Sequence, residues 1–372
     1  MTRLAIALGG NALIRRGEPG STEVQRRNLQ AAARGLVTLA EGSKAEIVLT
    51  HGNGPQVGFL AIGAEMAASV VPAPPLDVLG AETQGQIGYL LAQALNDAFL
   101  ERGHPRDIAV VVTRTVVRVD DPAFGNPTKP VGPIYDEATA REQAAARGWN
   151  IAPDGKSWRR VVPSPLPLRI VEAGAIRALV ETGALVVASG GGGIPVVERP
   201  DGGLDGVEAV IDKDLAAVVL ARSVKADGLL LLSDVDAVYR RWGTPRQEPI
   251  LRLSYDEAME GLAAGLWPSG SMAPKVRACA EFVKGGGRFA AIGALENAVQ
   301  IVKGASGTWF GGDAGLPRRS ATPPSADPAK PADPGNVPDP ARPTDASAVP
   351  GASAATAAGT PTERSVPDRP AA

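Results

Sequence analysis

The 372-residue sequence contains one cysteine, Cys279, and two histidines, His51 and His104. A single thiol excludes an intramolecular disulfide framework and suits a reducing compartment. So few histidines leave a His/Cys zinc site almost without ligands and give a His-based triad only two candidates. Aromatic residues make up 4% of the chain. Its apolar runs break after a few residues, far short of the ~20 needed to span a bilayer. The opening residues lack the basic-then-apolar pattern of a secretory leader. Charge of one sign is also missing. Lys+Arg 38 against Asp+Glu 40 leave a formal net charge of -2, without the basic block expected for nucleic acid. What remains is the expectation of a soluble, cytoplasmic, glycine-rich α/β protein with neither nucleic acid nor membrane as partner.

The composition changes along the chain. Residues 311–372 hold 13 of the 33 prolines, no aromatic residue and a single leucine, Leu316. Such a segment cannot bury enough apolar surface to offset its ordering entropy, so a disordered Pro/Ala-rich tail is expected there. Upstream, short apolar runs at Leu4–Leu8, Glu46–Thr50, Ile108–Thr113, Leu185–Ala188, Gly228–Leu232, Arg288–Ile292 and Thr308–Phe310 read as strands. Helical patterns at Glu23–Ala40, Thr83–Arg102, Arg169–Glu181, Asp212–Val224 and Pro274–Lys284 lie between them. This alternation predicts a three-layer αβα sandwich around an open, mainly parallel sheet. Ligands in such folds sit at the carboxyl ends of strands. Asp120–Pro167 breaks the rhythm with clustered prolines and reads as an inserted lid.

Three predicted strands run into glycine turns: Gly9-Gly10-Asn11, His51-Gly52-Asn53-Gly54 and Gly190-Gly191-Gly192-Gly193. Bare backbone amides there, with a helix start after the first two, predict an anion site in one crevice. No G-x-x-x-x-G-K-[ST] occurs, so the site is not a P-loop, and the glycine spacing disfavours a dinucleotide-binding dehydrogenase.

The basic residues sharpen this. There are 29 Arg and 9 Lys, yet lysine stands at Asn126-Pro127-Thr128-Lys129-Pro130, at Asp212-Lys213-Asp214 and at Met272-Ala273-Pro274-Lys275. A lysine ammonium is a compact charge that can follow one oxygen of a migrating phosphoryl group. Helix starts under Lys213 and Lys275 would add to the pull, and Asp214 could hold two lysines apart through paired salt bridges. Asp212 reads as an ordinary helix cap. His51 is expected to be structural within its turn, and Cys279 a core residue.

Together, Ala7–Leu13, Thr50–Gly58, Thr83–Tyr89, Asn126–Pro133, Arg159–Pro165, Gly190–Val197 and Gly206–Asp214 resemble the carbamate kinases, a branch of the amino-acid kinase family. The resemblance spans residues 3–310. It implies the amino-acid kinase fold, with residues 1–190 as an N-terminal carbamoyl- and phosphoryl-binding lobe carrying the lid at about 120–167. Residues 191–310 would form the nucleotide-binding lobe. The implied reaction is ADP plus carbamoyl phosphate giving ATP plus carbamate, reversibly, with Mg²⁺ carried by the nucleotide phosphates rather than by protein ligands. A homodimer and a place in arginine or carbamoyl phosphate breakdown are implied as well.

Carried over by position, Lys129 would reach the phosphoryl group from the lid, Lys213 and Lys275 from the scaffold, and Asp214 would organise them. Gly9, Gly10 and Asn11 would hold phosphoryl oxygens, and Gly52, Asn53 and Gly54 the carbamoyl end. Ser233, Asp234, Val235 and Tyr239 would lie beneath adenine and ribose, with Met272 and Pro274 nearby. The alternatives are an acetylglutamate- or uridylate-type kinase on the same scaffold, or a nucleotide-binding regulator without turnover.

Overall fold

A computed structural model describes residues 2–311, except Arg16, Gly17, Lys156 and Ser269 and the side chains of Asn11 and Pro133. The tail expected from Gly311 onward therefore lies outside the described residues, apart from Gly311 itself.

Eight strands form the central sheet: β1 (Arg3–Leu8), β2 (Glu46–His51), β3 (Ile108–Val111), β4 (Leu185–Ala188), β5 (Gly228–Ser233), β6 (Arg252–Leu253), β7 (Phe289–Ala294) and β8 (Thr308–Phe310). Their order is β6-β8-β7-β5-β1-β2-β4-β3, and every neighbouring pair is parallel except β7 with β8. β1 therefore has β2 on one side and β5 on the other. That reversal of strand order opens a crevice at the carboxyl end of β1.

The helices are α1 (Thr22–Ser43), α2 (Gly54–Ala67), α3 (Leu76–Glu101), α4 (Glu137–Arg147), α5 (Ala173–Glu181), α6 (Lys213–Ser223), α7 (Tyr255–Ala263), α8 (Met272–Lys284) and α9 (Ala298–Val302). The pleat sorts side chains between two cores. On β1, Leu4, Ile6 and Leu8 join Leu29 and Leu36 of α1, Ile87 and Leu91 of α3 and Ile301 of α9. Ala5 and Ala7 face the other way, toward Ala217 and Leu220 of α6, Ala258 of α7 and Phe282 of α8. Helices thus cover both faces, as the sandwich requires.

Local chemistry sets several boundaries. The Ser21 hydroxyl caps α1 by accepting from Val24 N–H, and α7 starts in a reciprocal capping box between Ser254 and Glu257. Two expected elements differ. The helix expected from Thr83 starts at Leu76, directly after Pro75. The helix expected over Arg169–Glu181 starts only at Ala173, because Arg169–Ile170 pairs antiparallel with Arg114–Val116. The chain enters that strand from a run of alternating prolines, which keeps the backbone extended.

The insertion is more ordered than its prolines suggest. Lys129–Tyr135, Ser157–Val162 and Asn150–Asp154 form a three-stranded antiparallel sheet. α4 packs with it, capped by Asp136, whose carboxylate accepts from Thr139 N–H at 2.9 Å. Val131 and Val162 of this insertion bury against Val57, Leu76 and Leu79, and Arg147 pairs with Glu65 of α2 at 2.6 Å.

Candidate active site

Strand ends and helix starts converge at the crevice. β1 runs into Gly9, whose N–H donates to the Leu232 carbonyl of β5 at 2.8 Å. β2 runs through His51 into Gly52, whose N–H donates to the Leu8 carbonyl at 3.1 Å. A methyl group at Gly52 would meet Gly10 N at 3.3 Å and Lys213 Cδ at 3.3 Å. The two glycine turns therefore lie side by side with the Lys213 stem against them. Asn53 is buried and Gly54, where α2 begins, is exposed. Only a single 3₁₀ turn, Gly10–Ala12, follows the first glycine pair. The helix start expected there is absent because α1 does not begin until Thr22.

The charged groups gather at the start of α6. Asp212 Oδ1 accepts from the N–H groups of Asp214 at 2.9 Å and Leu215 at 3.3 Å, which caps the helix. Asp212 Oδ2 accepts from Lys129 Nζ at 2.8 Å. Asp214 is 3% exposed and accepts from Lys213 Nζ on Oδ1 and Lys275 Nζ on Oδ2, each at 2.8 Å. Lys275 comes from the first turns of α8 and Lys129 from the strand Lys129–Tyr135 of the insertion.

Burial pushes the Asp214 carboxyl up, but the charges of Lys213 and Lys275 outweigh it and hold the group at about 2. Burial, then the neighbouring Lys213 charge, lowers the Lys275 ammonium below its ordinary value. For Lys213, burial is more than offset by Asp214, so its proton is held more tightly. Three ammonium groups against two carboxylates leave excess positive charge at a helix N-terminus beside bare amides. Such a place attracts an anion with charge spread over several oxygens.

Ser233 ends β5 beside the first glycine turn: a methyl on Gly9 would lie 3.5 Å from Ser233 Cα. The Ser233 hydroxyl donates to Asp234 Oδ1 at 2.9 Å, and Val235 is half-buried beside them at the entry to the following hairpin. On the hairpin strand Val238–Arg240, the Tyr239 hydroxyl donates to Asp236 Oδ1 at 2.8 Å, and its ring meets Trp242 at 5.1 Å. Met272 and Pro274 are half-buried in the same helix start as Lys275. The side chain of Asn11 lies outside the described residues.

The third glycine turn is a correction. Gly190 to Gly193 are all buried, and other side chains fill the space above them. A methyl on Gly191, whose φ is +67°, would fall 2.3 Å from Asn53 Nδ2, and one on Gly193 2.0 Å from Thr115 Oγ1. The turn is not an open phosphate cradle. It is a floor that lets Asn53 and His51 pack close.

A buried polar scaffold braces that floor, and periodicity gave no sign of it. Gln84 donates to the carbonyls of Thr113 and Gly190, each at 3.1 Å, and accepts from Thr113 N–H at 2.8 Å. Thr83 Oγ1 accepts from Asn53 Nδ2 at 2.9 Å. Its one sequence signal is Thr83-Gln84 within the Thr83–Tyr89 segment. His51 Nδ1 lies 3.1 Å from the Gly52 carbonyl. Burial drives its pKa down to about 4, so it is neutral and structural. Cys279 is buried in the α6/α8 core.

Among the described residues, no group of three or more His, Cys, Asp or Glu side chains could hold a metal ion. Both Asp214 oxygens are taken by lysines. Among the described residues no helix is long and apolar enough to cross a membrane.

The sequence profile of the amino acid kinase family matches residues 2–293. The carbamate kinase of Thermococcus kodakarensis is 47% identical over 311 residues, covering 83% of this chain and 98% of that relative. That of Halobacterium salinarum is 51% identical over 309 residues, covering 83% and 98%. Among solved structures, the Giardia lamblia carbamate kinase bound to AMP-PNP superposes with a TM-score of 0.77 at 40% identity, covering 83% of this chain and 98% of that one. On matches of this extent, the chain belongs to the amino acid kinase family and, within it, to the carbamate kinases.

Proposed function

We propose that this protein catalyses reversible phosphoryl transfer between carbamoyl phosphate and ADP. The observation that carries the chemistry is the Asp214 carboxylate shared by Lys213 and Lys275, set against the Gly10 and Gly52 turns. The carbamate O–P bond breaks as a β-phosphate oxygen of ADP bonds to phosphorus, and carbamate leaves as an anion. No proton has to move, so the reaction requires no general base. The residues fit that demand, since His51, the histidine beside the crevice, is buried and neutral. Lys213, Lys275 and the amides of Gly10 and Asn11 would neutralise charge on the migrating group, while Gly9, whose own N–H is held by the Leu232 carbonyl, would shape the turn. Lys129 would reach it from the lid, releasing Asp212 Oδ2 while Oδ1 goes on capping α6. Gly52, Asn53 and Gly54 would receive the carbamoyl end.

The nucleotide would lie over Ser233, Asp234, Val235 and Tyr239, near Met272 and Pro274, within a C-terminal lobe of residues 191–310. Residues 1–190 would form the carbamoyl lobe. Mg²⁺ would arrive on the nucleotide phosphates and supply further charge neutralisation there, because the crevice offers ammonium groups and occupied carboxylates instead of free ligands. We place the protein in the cytoplasm, in arginine or carbamoyl phosphate metabolism, as a homodimer. The edge strand β3, with Val110 exposed on it and Val112 just beyond it, offers a sheet edge unpaired among the described residues that a second copy would cover.

The test is a coupled assay for ATP formed from ADP, Mg²⁺ and carbamoyl phosphate, with acetylglutamate and UMP phosphorylation run beside it. The proposal requires ATP formation and no use of the other acceptors. Turnover of acetylglutamate or UMP, with none of carbamoyl phosphate, would overturn it.

A further inference from the structure

Glu208 stands outside the charged cluster, yet three parts of the molecule meet on it. Its Oε1 accepts from Leu76 N–H at 2.6 Å, the first residue of α3. Pro75 precedes that helix and supplies no side-chain cap, so a carboxylate 132 residues away does the work of one. Its Oε2 accepts from Arg160 Nη2 of the lid at 3.2 Å. The Glu208 segment leads within four residues into the Asp212 cap, and its Val210 N–H donates to the lid carbonyl of Pro163 at 3.0 Å.

The lid's register connects this contact to the crevice. Arg160 lies opposite Val131, and Val162 lies opposite Lys129, on adjoining antiparallel strands. Arg160 is itself held over the Trp149 ring at 5.0 Å, with Arg147 also 5.0 Å from that ring. Fixing Arg160 therefore fixes the strand pair that carries Lys129. Through Leu76 the same carboxylate grips α3, which bears Thr83 and Gln84 beneath the Asn53 turn.

We infer that Glu208 is a positioning residue: it latches the lid to α3 and to the approach of α6, and so delivers Lys129 to the phosphoryl group. The inference rests on the phosphoryl-transfer reading above and names a residue that sets its lid. The pair is partly open to solvent, with Glu208 54% and Arg160 22% exposed. The effect of breaking it should therefore be modest and weakened by salt.

The experiment is Glu208→Gln in the parent chain and in the Lys129→Ala background, with Arg160→Gln as a second route to the same break. The Glu208→Gln amide keeps an oxygen for the Leu76 N–H while losing the charge that faces Arg160. The expected result is a fall of about threefold in kcat/KM for carbamoyl phosphate in the parent background. In the Lys129→Ala background no further fall is expected. Amide exchange in Ser157–Val162 should rise in both variants, whatever substrate the enzyme uses. An equal fall in both backgrounds, or unchanged lid exchange, would overturn the latch. A parent chain that makes no ATP would sink the phosphoryl-transfer reading instead, leaving the exchange result to decide the latch by itself.

Discussion

Replacing Asp214 by Asn tests the charged cluster where it is most exposed to failure. The parent carboxyl is held at about 2 from an ordinary 3.8, a preference for the ionised form of about 2 kcal/mol. Because the folded pKa is depressed, that stabilisation is present in full above the unfolded value and is lost as pH falls through 2. Asn removes it at every pH and leaves Lys213 and Lys275 facing each other in a buried site. Losing one partner of a buried ion pair costs about 3–5 kcal/mol. The cheapest relief is proton loss from Lys275, which burial and Lys213 already favour. Urea unfolding at neutral pH should show a loss of about 3 kcal/mol. ATP formation should fall by ~10²–10³, with the residue of activity rising toward lower pH as Lys275 regains its proton. Stability within ~0.5 kcal/mol of the parent, together with near-parent activity and an unmoved pH profile, would refute the shared-carboxylate argument.

Other perturbations probe separate parts of the account. Lys129→Ala should damage use of carbamoyl phosphate more than ADP affinity measured by calorimetry, and the opposite pattern would misplace the lid. His51 is held neutral with a pKa of about 4 against 6.5, so the unfolded chain binds the extra proton. Stability should fall by about 3 kcal/mol as pH drops from 6.5 toward 4, and His51→Gln should flatten that slope in urea titrations. Gly191→Ala would set a methyl 2.3 Å from Asn53 Nδ2 at a φ of +67°; turnover should drop at least tenfold, and an unaffected variant would free Asn53 from its assigned role. Deleting residues 312–372 should leave melting temperature and turnover nearly unchanged, whereas a large fall in either would make the tail structural.

The central strands were legible because they are short apolar runs buried on both faces, ended by glycine or a polar residue. Leu4–Leu8 and Gly228–Leu232 needed nothing more. The starts of α6 and α8 were legible for a related reason, since Asp212 and Pro274 mark helix entries. The lid was not. Its prolines, Pro130 among them, mask a strand that tolerates them in a small antiparallel sheet at its edge. The split of Arg169–Glu181 depends on pairing with Arg114–Val116, a partner more than fifty residues away that local pattern cannot reveal. Within the crevice, the lysines stood out against an arginine-rich background. Gln84, Thr113 and Thr115 did not, because a buried polar side chain carries no periodic mark. Its importance appears only when the backbone groups it satisfies are seen. The Gly190–Gly193 turn shows the same limit: glycine can open a turn to a ligand or admit a neighbouring side chain, and sequence alone does not separate the two.

The most direct measurement is a crystal structure with ADP, Mg²⁺, carbamate and a planar fluoride mimic of the migrating phosphoryl group. The account predicts Nζ of Lys129, Lys213 and Lys275 within ~3 Å of the mimic's ligands, with the Gly10 amide facing it and Asp214 still between its two lysines. Lysines that remain paired with their aspartates while the mimic binds elsewhere would contradict it.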